Sequence, residues 1–235
     1  MRSTKFMMLT LLFTCLQVGY LYGDLAVTTH FYDTVTLPCS FPFVYDGVSV
    51  LWERIGEDGR KLLVHKFTED QDHLVEQDPQ YRGRTQLSKE FSKRRLDLTL
   101  RDVTFSDEGT YYCRAASEKG HGDLMVTLTI DRLNADDPKV SLLHIDGIRL
   151  LKCVTTGVFR DPKVKWTNRN NEDLSSYATN NITALASGKQ TVESILRYDV
   201  ETNVHYFCQI TEGRLKRSAR AVISDGHSAV TFDEL

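Results

Sequence analysis

Short runs in which apolar positions alternate with others recur along this chain, and each reads as a strand with one buried face. Val35, Leu37 and Cys39 alternate with Thr36 and Pro38, so a strand presents the cysteine to a core. Val50-Leu51-Trp52-Glu53-Arg54 forms a second run. Gly56-Glu57-Asp58-Gly59 breaks it as a turn, and Lys61-Leu62-Leu63-Val64-His65 resumes as a further strand. Leu96, Leu98 and Leu100 share one face, and Leu124 to Ile130, entered through Gly120-His121-Gly122, closes this half of the chain. After the polar stretch Asp131 to Pro138 the pattern starts again, with Leu150 to Cys153, Ser194 to Val200 and Val204 to Cys208. Trp52 follows Cys39, and Trp166 follows Cys153, at the same interval of thirteen residues. A repeat with a period of about 100 residues marks a duplicated domain rather than a solenoid.

Composition sets the scale. The chain has 235 residues, 41% of them hydrophobic and 26% charged, which accommodates two domains of about 100 residues each. The expected division is residues 24–131, a linker at 132–137, a second domain at 138–224 and a tail at 225–235. A formal net charge of −3 gives no field that favours nucleic acid. Residues 1–23 read as a secretory signal peptide: Arg2 and Lys5 form a positive head, Phe6 to Leu16 an apolar run, and Gly23 a small residue before the cut. Removing that segment removes Cys15 and leaves Cys39, Cys113, Cys153 and Cys208, an even number in an exported chain. Two disulfides are expected, and four cysteines allow three pairings.

The stretch Asp107-Glu108-Gly109-Thr110-Tyr111-Tyr112-Cys113 resembles the end of an immunoglobulin variable-type sandwich. Together with Tyr81-Arg82-Gly83-Arg84-Thr85 and the later pattern Cys153-x3-Gly157-x4-Pro162-x-Val164-x-Trp166, it is similar to the butyrophilin and T-cell costimulatory-ligand family. The resemblance covers the whole expected mature chain. It implies an all-β fold of two immunoglobulin-like sandwiches, variable-type then constant-type. The cysteine separations of 74 and 55 residues agree, since only the first leaves room for extra strands. The resemblance also implies the pairing Cys39–Cys113 and Cys153–Cys208. It places Trp52, Tyr111, Trp166 and Tyr206 in the two cores, and makes Arg84 the salt-bridge partner of Asp107.

By the same resemblance the protein is a cell-surface or soluble ligand for a lymphocyte surface receptor, regulating T-cell receptor signalling and cytokine production. The contact is expected on the front sheet of the first domain. Strand parity around the buried Trp52 and Cys113 then points Leu51, Glu53, Tyr112 and Arg114 outward, joined by His65 and Met125 on neighbouring strands. Such a face suits a protein interface, a homodimer included. The alternative function is adhesion by homophilic contact between sandwiches. No apolar run follows the second domain, so the chain as written reads as secreted, without a membrane span; the resemblance places a longer form on the external side of the plasma membrane.

Three motifs remain. Asn181-Ile182-Thr183 is an N-glycosylation acceptor, expected in an exposed segment between strands. Arg214-Leu215-Lys216-Arg217 reads as a charged hairpin before the last strand of the second domain, a position at which proteolysis would cut a paired strand. The seven histidines form no His-x3-His pair, and no Gly-x-Ser-x-Gly elbow or phosphate loop occurs. The expectation is therefore no metal, no cofactor and no enzymatic activity.

Overall fold

The computed structural model describes residues 25–44, 47–224 and 228–233, the last segment by its backbone alone. The signal-peptide expectation falls on residues outside these. In the first half the described strands are β1 (Leu25–Phe31), β2 (Val35–Leu37), β3 (Ser49–Ile55), β4 (Lys61–Thr68), β5 (Gln71–Asp72), β6 (Thr85–Leu87), β7 (Leu98–Leu100), β8 (Gly109–Ser117) and β9 (Gly120–Leu133). They form a six-stranded front sheet, β1-β9-β8-β3-β4-β5, and a back sheet, β2-β7-β6. The leucines that alternate in the sequence explain why the two sheets stack. Leu37, Leu98 and Leu100 of the back sheet face Trp52, Tyr111 and Leu128 of the front sheet, and all are fully buried.

The second half contains β10 (Lys139–Ile145), β11 (Ile148–Gly157), β12 (Lys163–Asn168), β13 (Ala178–Ala184), β14 (Gln190–Leu196), β15 (His205–Glu212), β16 (Leu215–Ser224) and β17 (Ser228–Asp233). One sheet runs β10-β11-β14-β13 and the other β12-β15-β16-β17. Here one strand in each sheet carries a half-cystine, Cys153 in β11 and Cys208 in β15, and the sheets close over Trp166, Leu196, Ala219 and Ala221. The chain is thus two immunoglobulin-like sandwiches in tandem.

The borders differ in detail from the sequence expectation. Strand β9 continues through Leu133, and Ala135 bridges to Gly157 of β11, so the stretch expected as a linker is partly paired. The stretch expected as a tail contributes β17, which runs antiparallel to β16 from Ser228 to Asp233.

Candidate functional site

The framework of the first domain comes first, because it fixes where the outer face points. Cys39 of the back-sheet side bonds Cys113 of β8 across the sandwich, and Trp52 of β3 pairs in register with Cys113. The Trp52 indole N–H donates to the Leu96 carbonyl at 3.2 Å, so its one polar atom is satisfied in the core. Tyr111 donates its hydroxyl to the Asp107 carbonyl at 2.7 Å, tying β8 to the corner before it. Burial, with Tyr81 and Asp107 close by, pushes the Tyr111 phenol pKa far up. Arg84 grips Asp107 with two nitrogens, at 3.1 and 2.6 Å, and the Asp107 carboxylate also accepts from the Thr104 amide at 2.8 Å. The fully buried carboxylate therefore has a charged partner, one backbone donor and the Thr104 hydroxyl together.

The second domain repeats the scheme with different partners. Cys153 bonds Cys208, and Trp166 pairs with Cys208 in register. The Trp166 indole donates to Ser194 Oγ at 2.8 Å, and the Tyr206 hydroxyl accepts from the Glu201 amide at 3.0 Å.

With the inward residues committed, alternate side chains of β3, β4, β8 and β9 form the outer face of the front sheet. Two rows cross these four strands. One row reads Lys66, Leu51, Arg114, Asp123; the next reads Leu63, Glu53, Tyr112, Met125. Arg114 reaches diagonally between the rows to Glu53, forming an ion pair, and its Nε lies 3.6 Å from Asp123 Oδ1. The Arg114 guanidinium sits 5.9 Å from the centroid of the Tyr112 ring. Lys61 Nζ lies 4.0 Å from the same Glu53 carboxylate. Met125 is 39% exposed at the margin. An open groove of about 500 Å³ runs along this face, with Leu51, Leu63, Lys66, Arg114 and His121 among its walls. The arrangement is an apolar surface threaded by compensated charges. It offers contact area and pairing specificity.

His65 departs from the expectation. Its ring is buried rather than outward. The reason is register: His65 stands directly opposite Trp52, and cross-strand neighbours share a face. The register shifts between Trp52 and Glu53, where β4 holds an extra residue, Val64. Counting alternate residues across that bulge inverts the assignment. The buried imidazole is fully partnered. Gln77 Nε2 donates to Thr85 Oγ1 at 2.7 Å, and Thr85 Oγ1 is 3.1 Å from His65 Nδ1. His65 Nε2 lies 3.2 Å from Asp72 Oδ1. A carboxylate only accepts, so Nε2 carries the proton and Nδ1 accepts from the threonine hydroxyl. Burial lowers the His65 pKa, and the Asp72 carboxylate only partly offsets this. Leu63, Lys66 and Asp123 belong to the outer face but are absent from the sequence reading. Leu63 is hidden there because Leu62-Leu63-Val64 shows no alternation; its pairing with Glu53 reveals it.

The remaining motifs lie elsewhere. Asn181 is exposed, but it sits within β13 rather than between strands. The Arg214 to Arg217 run spans the β15–β16 turn and the start of β16, the hairpin its residues announce, and its two arginines reach the seam between the domains. Arg214 Nη2 donates to Glu108 Oε1 at 2.7 Å and to the Ile130 carbonyl at 3.2 Å, and its guanidinium stacks 4.2 Å from the Phe105 ring centroid. That contact holds the Glu108 carboxyl below its usual pKa. Arg217 donates to Asp137 Oδ1 at 2.7 Å. Alongside, the Tyr32 hydroxyl donates to Glu212 Oε1 at 3.1 Å, and Arg160 lies 4.3 Å over the Tyr32 ring. Burial and the nearby Glu212 carboxylate push the Tyr32 phenol up to about 12. Among the described residues no group of three or more His, Cys, Asp or Glu side chains is placed to hold a metal ion, and no helix is long and apolar enough to cross a membrane.

Comparison with known proteins accords with this architecture. Residues 24–137 match the immunoglobulin V-set domain model. The V-set domain containing T-cell activation inhibitor 1 of Mus musculus is 26% identical over 195 residues, spanning 81% of this chain and 67% of its own length. The human counterpart is 28% identical over 179 residues, spanning 74% of this chain and 62% of its own. Human butyrophilin subfamily 1 member A1 is 32% identical over 117 residues, 49% of this chain and 22% of that protein. Residues 24–137 are therefore an immunoglobulin V-set domain, and with the sandwich that follows the chain has the V-set plus constant-type architecture of the butyrophilin-like costimulatory ligands it resembles.

Proposed function

We propose that this protein is a costimulatory or coinhibitory ligand that engages a lymphocyte surface receptor through the outer face of its front sheet, and so regulates T-cell receptor signalling. The observation that supports this reading is the pair of rows on that face. Leu51, Leu63, Tyr112 and Met125 supply apolar contact, and Glu53 and Arg114 are already paired within it. A charge pair compensated before docking can be covered by a partner without leaving either charge bare. The T-cell activation inhibitors that the chain resembles are named for an effect on T cells, which is the class of effect proposed here.

The test is binding of the purified chain to lymphocytes. The unaltered chain stains a leukocyte population; Glu53→Lys removes the staining, because it sets a new cation beside Arg114 and Lys61. Truncating one member of a buried interfacial charge pair costs about 2–5 kcal/mol, so Glu53→Ala lowers affinity at least ~10-fold. Full staining by Glu53→Lys, with the variant folded, places the contact elsewhere. No staining of any leukocyte, with self-association through the same face, replaces the ligand reading with homophilic adhesion.

A further inference from the structure

A sheet that ends in an unpaired strand exposes a row of backbone donors and acceptors, and folded proteins blunt such edges with charge, proline, a bulge or a short strand. The free edges of this chain can be compared one by one. Strands β2 and β6 end the back sheet and hold three residues each. Among the strands whose side chains are described, β5 carries Asp72, β10 Lys139, β12 Lys163 and β1 His30. Strand β13 is different. It ends the sheet β10-β11-β14-β13, it is seven residues long, and its sequence Ala-Thr-Asn-Asn-Ile-Thr-Ala has no ionisable side chain and no proline. Six of its seven residues are exposed, and Ile182 is 46% exposed at the rim of the sandwich. A neutral, proline-free edge of this length with an exposed isoleucine is a template for strand addition by another copy.

The acceptor triplet Asn181-Ile182-Thr183 lies on this edge. Asn181 pairs with Glu193 and Thr183 with Thr191, on the side opposite to the buried Val192 and Ser194. Asn181 Nδ2 lies 3.5 Å from Thr183 Oγ1, so amide and hydroxyl share the outer face.

We propose that Asn181 carries an N-linked glycan whose role is to guard the β13 edge against pairing with a second copy. The modification draws on a lipid-pyrophosphate-linked oligosaccharide. The Asn181 amide nitrogen forms a bond to C1 of the first sugar, the C1–O bond to the pyrophosphate breaks, the lipid pyrophosphate departs, and the amide gives up one proton. No electrons are transferred. The attached sugar projects from the outer face of the sheet beside the unpaired backbone groups and occupies the space an added strand needs. The inference rests on passage through the secretory pathway and is independent of receptor binding by the other domain.

The experiment uses the full chain secreted from animal cells. Peptide-N-glycosidase treatment lowers its mass by one glycan and converts Asn181 to Asp; Thr183→Val, which keeps a β-branched side chain, shows no such loss. In sedimentation velocity over a concentration series, the Thr183→Val chain self-associates at least ~10-fold more tightly than the glycosylated chain. Adding Ile182→Lys to Thr183→Val restores the weaker association by placing a charge on the edge. Should Thr183→Val fail to be secreted, Asn181→Gln, which also removes the acceptor and adds no charge to the edge, provides the same comparison. An unmodified Asn181, or equal association with and without the glycan, overturns the proposal.

Discussion

His65 is the residue at which local chemistry and surface reading part, and its protonation has a defined consequence. In the folded chain its pKa is lowered by burial, so the native state favours the neutral ring. The unfolded chain titrates near the ordinary value of about 6.5. Between the lowered folded value and 6.5 the unfolded state binds more protons, and stability rises with pH there. The contribution is fully present above 6.5 and is lost as pH falls through the folded value. The first domain is therefore expected to weaken on acidification below 6.5. The readout is Trp52 fluorescence in a Trp166→Phe background, since the chain has two tryptophans, one in each core. His65→Gln keeps polar contacts to Thr85 and Asp72 but cannot titrate, so its acid slope is shallower; an unchanged slope assigns the effect to other groups. The contrast with Trp52 explains what the sequence discloses at this scale. Trp52 and Cys113 are legible because their spacing fixes their face directly. His65 is not, because its face depends on Val64 being an extra residue, which only the pairing of β3 with β4 defines.

The turn between β15 and β16 shows the same limit for an element. Its residues announce a hairpin, and the hairpin is there. What it touches is set by chain segments about a hundred positions away, and alternation in a strand carries no information about those. Gly213 sits at φ +57°, and a Cβ built there would lie 2.5 Å from Phe105 Cε2. Glycine is thus required twice over, by its backbone conformation and by the aromatic ring of the other domain. Gly213→Val is expected to force the ring aside and separate Arg214 from Glu108. The strained backbone and overlap together cost about 1–3 kcal/mol. Two measurements check this. The maximum dimension in solution scattering increases as the domains pivot, and the second domain keeps its own Trp166 environment. A variant with unchanged scattering and unchanged stability shows that the turn does not hold the seam.

At the scale of the whole molecule, each sandwich has one disulfide, one tryptophan stacked in register with it, and one tyrosine tying a strand to its corner. The two domains nevertheless meet through directed contacts at Tyr32, Glu108, Arg214 and Arg217. This division makes a prediction about cooperativity. The Cys153–Cys208 bond closes a separation of 55 residues, and the chain-entropy estimate for a loop of that size is about 4 kcal/mol. A typical domain has only about 5–15 kcal/mol in total, so Cys153→Ala with Cys208→Ala brings the second domain close to unfolding at body temperature. The first domain retains its own bond between Cys39 and Cys113 and the Arg84 grip on Asp107. Heating the variant should therefore separate two transitions: an early one seen by Trp166 and a later one seen by Trp52. The later transition also moves down slightly, because Arg214 and Tyr32 lose their fixed positions when the second domain melts. One shared transition, shifted as a block, would instead mean that the seam couples the sandwiches more strongly than a disulfide stabilises either one.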